Sequence, residues 1–171
     1  AYRYNLGGGY YCSRGWEPLG YTGYYDTFGP ELSFARKIGG SIKGNVAIAK
    51  FTHSGSQIID WTPEGSIAKS RHIYPKFIQF VENSISELSA KGHEVEVEGV
   101  FYHMGENDMS FHPYRKEAAA RVQGIIEQSR KDLKRPGLRW FVSQQPPTDV
   151  ENLNKLDVVR NMAGIASGSP N

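Results

Sequence analysis

Short apolar runs rich in β-branched and aromatic residues alternate three times with longer stripes of helical period, and this alternation constrains the fold more than any other feature of the chain. Residues 45–51 form a compact run that predicts a buried strand. Ile73, Phe77, Phe80, Val81, Ile85 and Leu88 then recur at helical spacing and end at Gly92. Residues 95–102 predict a second strand, alternating with Glu94, Glu96 and Glu98 at first and apolar later. Tyr114, Ala118, Val122, Ile125, Ile126, Ser129 and Leu133 make the next helical stripe, between Pro113 and Pro136-Gly137. Residues 138–143 predict a third strand, and Thr148 with Glu151 forms a capping box that opens a last helix through Leu153, Leu156, Val159 and Ala163. A shorter helix starts at Pro30, carries Leu32, Ala35 and Ile38, and stops at Gly39-Gly40. Such a pattern predicts an α/β fold, a three-layer α/β/α sandwich with a mostly parallel sheet and right-handed crossovers. Ligand chemistry is then expected beyond the carboxyl ends of the strands, after Phe51, Met104 and Ser143.

Composition narrows the field. The 171 residues suit one domain, residues 1–171, and neither a linker nor a repeat divides them. No apolar run approaches the roughly 18 to 20 residues of a membrane span. The single Cys12 allows neither an internal disulfide nor a thiolate metal cluster. Twenty basic against 18 acidic residues give a net charge of +2, without the electrostatic footprint of a nucleic-acid binder. No charged segment followed by an apolar one opens the chain as a signal peptide would. The first 29 residues are different in kind: seven Tyr, Trp16, Phe28 and seven Gly with almost no aliphatic pattern, so residues 1–28 predict a long ordered loop region.

Two strand-end segments carry polar chemistry. Thr52-His53-Ser54-Gly55-Ser56-Gln57, followed by Asp60-Trp61, is either an ordinary strand-to-helix turn or a cradle whose small residues let backbone N–H groups face a ligand oxygen. Gly105-Glu106-Asn107-Asp108 is either a turn and cap pair or a source of amide donors and carboxylate acid–base groups. Of the histidines, His53 has the best position for a ligand. His103 is expected to pack between sheet and helix, His112 to mark a helix start, and His72 and His93 to lie in solvent.

Three blocks in order resemble the SGNH hydrolases, specifically the sialate O-acetylesterase-like branch grouped with carbohydrate esterase family 6. Phe28-Gly29-Pro30-Glu31-Leu32-Ser33-Phe34-Ala35 is similar to the branch's Gly-Pro segment. Lys50-Phe51-Thr52-His53-Ser54-Gly55-Ser56 with Asp60-Trp61 is similar to its Lys, Gly-Gly-Thr turn and Trp. Gly99-Val100-Phe101-Tyr102-His103-Met104-Gly105-Glu106-Asn107-Asp108 is similar to its Gly-Val-x-Trp-x-Gln-Gly-Glu-Ser-Asp. The resemblance implies ester hydrolysis by a Ser activated by His and Asp, on acetylated carbohydrate, with no metal or organic cofactor and in a secreted or periplasmic setting. Carried over by position, Gly55 and Asn107 would serve the oxyanion hole, with Ser54, Gly105 and Glu106 supporting them.

The departures are Met104 for Gln, Ser54 for Gly and Tyr102 for Trp. The catalytic nucleophile, Asp and His of the family are not found: the chain has no Ser-Asn pair, and none of its six Asp residues has a His three positions later. Asp108 and His112 are one residue too far apart, and Ser13 lacks an apolar strand before it. The expectation is a chain cut at both ends, with the nucleophile strand before Ala1 and the Asp-His block after Asn171. Alone, such a piece is expected to aggregate or fold partly and to leave p-nitrophenyl acetate intact. A second reading is a noncatalytic carbohydrate-binding protein that stacks sugars on Tyr10, Tyr11, Trp16, Tyr21, Tyr24 and Tyr25. A phosphate cradle at Gly7-Gly8-Gly9 lacks the strand before it and the helix after it that such a site needs.

Overall fold

Eleven elements follow one another in the computed structural model, which describes residues 1–7, 11–22, 28–67, 71–109, 112–143 and 153–168. They are β1 (Tyr2–Gly7), β2 (Tyr11–Cys12), α1 (Glu31–Gly39), β3 (Ile48–His53), a 3-10 turn (Ile58–Trp61), α2 (Tyr74–Ala90), β4 (Val100–Tyr102), α3 (Glu106–Met109), α4 (His112–Asp132), β5 (Trp140–Val142) and α5 (Leu153–Gly168). The architecture is mixed α/β. The chain forms two compact units, residues 1–54 with 80–94, and residues 55–79 with 95–171.

In the first unit the strands run in the order β2-β1-β3. β1 pairs with β3 in parallel, from Tyr2↔Ile48 to Gly7↔His53, and with β2 antiparallel. Residues 2–7 and 11–12 are therefore strands, which corrects that part of the loop expected over residues 1–28. Tyr2 and Tyr4 are both buried, with ring centroids 5.4 Å apart. Tyrosine at every second position fills the inward face that Val or Ile usually fills, so the period was present without the aliphatic residues that advertise it. β1 also supplies the strand before Gly7 whose absence counted against a phosphate cradle; β2 follows it instead of a helix, and Gly8 and Gly9 lie outside the described residues.

β3 begins three residues later than the predicted run and is half-buried rather than buried. Its Lys50 donates to Glu31 Oε1 at 2.8 Å, and the same oxygen accepts the Gly29 N–H at 3.0 Å and the Tyr2 hydroxyl at 3.3 Å. This one carboxylate ties the Gly-Pro segment, β1 and β3 together. Phe51 packs on Phe80 with centroids 5.3 Å apart, and Arg3 lies over Phe80 while its guanidinium pairs with Glu87.

In the second unit β4 and β5 pair in parallel, Val100↔Trp140 through Tyr102↔Val142. β4 is three residues long, so Val95 and Val97 lie outside it. Phe77, Trp140 and Tyr102 form an aromatic chain with centroid steps of 6.2 and 5.9 Å. α4 buries Ala118, Val122, Ile125, Ile126 and Ser129, the stripe expected from the sequence. The Tyr74 hydroxyl donates to Asp132 at the far end of α4, at 2.7 Å. The expected helices α1, α2, α4 and α5 are all present. The capping residues Thr148 and Glu151 fall outside the described residues.

Candidate active site

Four backbone groups of the turn that opens the second unit are held by side chains of that unit. Gly55 has φ +66°, the left-handed region that a residue with a Cβ enters at a cost of roughly 1–2 kcal/mol. Its carbonyl accepts Arg71 Nη1–H at 2.8 Å. The Ser56 carbonyl accepts Asn107 Nδ2–H at 3.2 Å, and its hydroxyl accepts Trp61 Nε1–H at 3.0 Å. The Gln57 N–H donates to Asp60 Oδ2 at 2.9 Å, one half of a capping box on the 3-10 turn. The Ile58 N–H donates to both carboxylate oxygens of Asp108, at 3.2 and 3.0 Å. Among the described residues the Gly55 N–H has no partner.

Asp60 and Asp108 are both almost fully buried. Burial pushes the Asp108 carboxyl above its usual range, and the Asp60 charge adds to the rise. The Ile58 N–H and the Arg121 guanidinium oppose it without cancelling it. Arg71 Nη1 lies 3.9 Å from Asp60 Oδ2, and the Ile73 N–H donates to the Asp60 carbonyl at 2.8 Å. The Asp108 carboxylate thus replaces the hydration of an amide inside the protein, and a preorganised polar turn results.

Of the residues expected at the site, Gly55 and Asn107 meet through Ser56: Asn107 is exposed, and one hydrogen on Nδ2 remains beyond the bond to the Ser56 carbonyl. Gly105, at φ +125°, makes the sharp exit from β4, and Glu106 begins α3, its side chain outside the described residues. Ser54 and His53 belong to the first unit, where the Ser54 carbonyl lies 3.1 Å from His53 Nδ1. Sequence reasoning placed Asp60 and Asp108 near the chemistry but missed their backbone partners, and it missed Arg71 altogether. Contacts from a side chain to a backbone N–H 50 positions away leave no local pattern to read.

Other candidates fall elsewhere. Ser13 Oγ is bonded to both the N–H and the carbonyl of Tyr4, so its hydroxyl serves β1. His103 is exposed at the end of β4 with Nδ1 2.7 Å from Ser143 Oγ, not packed between sheet and helix; β4 is too short to carry it inside. His72 is half-buried with Nε2 2.6 Å from the Pro63 carbonyl, rather than free in solvent. In the aromatic front, Tyr11 and Tyr21 are exposed, but the Trp16 indole donates to the Ser84 carbonyl at 3.2 Å. Tyr10, Tyr24 and Tyr25 lie outside the described residues.

Fold and turn define a mixed α/β protein with a rigid polar turn in its second unit. A family model described as carbohydrate esterase, sialic acid-specific acetylesterase matches residues 15–167, and the chain belongs to that family. Among solved structures it is similar to a protein from Arabidopsis thaliana, at 16% identity and a TM-score of 0.58, covering 86% of this chain and 72% of that one. At that identity the likeness concerns the fold alone. No curated protein matches the chain.

Proposed function

We propose that the chain carries the oxyanion side of an SGNH-type hydrolase that removes acetyl groups from carbohydrate esters. One observation carries this reading: in a member of a carbohydrate esterase family, the Asn107 amide is fixed on the Ser56 carbonyl at 3.2 Å, beside a Gly55 N–H without a partner among the described residues. The ester carbonyl oxygen turns negative as the tetrahedral adduct forms. The Gly55 N–H and the second Nδ2 hydrogen of Asn107 would meet it, each aimed donor lowering the barrier by roughly 3–4 kcal/mol. Gly105 and Glu106 support that site, Gly105 by directing the chain from β4 toward Asn107. On this reading residues 1–171 belong to one hydrolase domain of the three-layer α/β/α type with a mostly parallel sheet. The substrate is an acetylated carbohydrate.

Acetate release from acetylated oligosaccharides and from p-nitrophenyl acetate tests the proposal, and release by this chain would also overturn the expectation that it leaves p-nitrophenyl acetate intact. Asn107→Ala is expected to lower kcat by about 100- to 1000-fold with KM little changed. Equal turnover by Asn107→Ala and the parent protein would remove Asn107 from the chemistry. Absence of acetate release by the parent would remove the function.

A further inference from the structure

We infer that Ser143 and His103 form a nucleophile–base pair at the carboxyl end of the β4–β5 sheet. The inference rests on the ester-hydrolase reading above for its substrate, and on geometry alone for the pair itself.

The parallel register ends at Tyr102↔Val142, so the next residue of each strand, His103 and Ser143, leaves the sheet side by side. The Ser143 N–H donates to the Tyr102 carbonyl at 2.9 Å, extending the ladder by one rung and fixing the backbone that carries the hydroxyl. Ser143 Oγ then lies 2.7 Å from His103 Nδ1, within the reach that general-base activation of a hydroxyl requires. In the tautomer with its proton on Nε2, the imidazole accepts the Ser143 hydroxyl proton. The groups stand at strand ends, where rigid elements set their geometry. His103 is exposed, so a substrate can approach the pair. Asn107 follows His103 by four residues on the same segment leaving β4.

The contrast with other serines gives the pair its weight. Ser13 is tied to the β1 backbone, Ser56 accepts from the Trp61 indole, and Ser84 and Ser129 donate to carbonyls of their own helices. Ser143 meets an imidazole instead. Ser143 lies outside the three family blocks, His103 stands at a variable position of the third, and 40 positions separate them.

The chemistry balances without a further reactant beyond water. Ser143 Oγ bonds to the acetyl carbonyl carbon while its proton passes to His103 Nδ1. The tetrahedral adduct expels the sugar oxygen, which takes that proton, and leaves an acetyl-serine. Water attacks the acetyl-serine as His103 accepts its proton, and the proton returns to Ser143 Oγ as acetic acid departs.

A fluorophosphonate reagent with mass-spectrometric mapping of the adduct tests the pair without any assumption about substrate. The protein is expected to carry the adduct on Ser143, Ser143→Ala to lose it, and His103→Gln to slow its formation by about 100-fold or more. Circular dichroism melting of His103→Gln shows that the change reports chemistry and not unfolding. No adduct on Ser143, or an equal labelling rate in a folded His103→Gln, overturns the inference. Acetate release that Ser143→Ala leaves intact also overturns it, while sparing the proposed function. A His103-dependent adduct in a protein that releases no acetate from saccharides supports the pair and overturns the substrate reading instead.

Discussion

Glu31 in the first unit and Asp108 in the second are both buried carboxylates that accept backbone N–H groups, yet they are driven in opposite directions. For Glu31, burial alone would raise the carboxyl. The hydrogen bond from Lys50, its own backbone N–H, the Lys50 charge and the Gly29 N–H outweigh burial and hold it below its usual range. For Asp108, burial wins: the Ile58 N–H and the Arg121 charge oppose it, but among the described residues no hydrogen-bonded cation meets it as Lys50 meets Glu31, and Asp60 adds repulsion. The difference separates two uses of one functional group. Glu31 with Lys50 clamps strand to helix, whereas Asp108 shapes a turn with a dipole as its main partner.

The clamp gives the largest expected effect. Lys50→Met leaves the Glu31 charge buried with only neutral donors, which costs about 3 kcal/mol at neutral pH. In thermal melts that is a fall in Tm of roughly 6–12 °C. Adding Glu31→Gln removes the stranded charge, so the double variant should be more stable than Lys50→Met alone. If the double variant melts lower still, the carboxylate is held by its N–H and hydroxyl donors and the comparison with Asp108 collapses.

The pH dependences should then run against each other. The folded-state pKa of Glu31 is lowered, so its contribution is present above the ordinary carboxylate range of about 4 and is lost as pH falls through the folded value. That of Asp108 is raised, so its contribution is complete below that range and is lost as pH rises through the folded value. Asp108→Asn keeps a carbonyl oxygen for the Ile58 N–H and has no proton to lose. It is expected to cost about 1–2 kcal/mol at the acid end and less as pH rises, since the raised pKa makes the parent's own contribution fall with pH. Denaturant melts of Asp108→Asn and Glu31→Gln, from well below the ordinary carboxylate range up to pH 7, read both slopes. Slopes of the same sign would mean that Asp108 is held by Arg121 as Glu31 is by Lys50.

The helices of this chain were legible because their apolar residues recur at three and four positions, and a stripe such as Ala118, Val122, Ile125 and Ser129 has no other economical reading. β1 escaped because Tyr2 and Tyr4 do the work of aliphatic residues in a Gly- and Tyr-rich stretch. β4 was overdrawn because the alternation of Val95 and Val97 with glutamates imitates a strand that the sheet does not extend to pair. At the site, Gly55 and Asn107 were legible as members of ordered blocks. The bonds from Arg71 to the Gly55 carbonyl and from Asp108 to the Ile58 N–H were not, because backbone groups are the same at every position and only the fold selects which one a side chain meets. The pair of His103 and Ser143 was hidden for the same reason, since parallel register alone makes them neighbours.

The smallest expected effect isolates the turn itself. A Cβ built on Gly55 meets nothing within 4 Å, so Gly55→Ala costs only the conformational penalty of φ +66°, roughly 1 kcal/mol or slightly more. Asn tolerates that region better than Ala, so Gly55→Asn should lie between Ala and the parent. Both variants keep the carbonyl that Arg71 holds, and the carboxylates of Asp60 and Asp108 still grip the amides of Gln57 and Ile58. Those side-chain anchors should keep the turn in place under the strain, and amide exchange at Gln57 and Ile58 should stay as slow as in the parent protein. Rapid exchange at those two amides in Gly55→Ala would show the strain winning over the carboxylates. The turn would then owe its shape to glycine, and Asp108 would be a passenger in it, unlike Glu31 in its clamp.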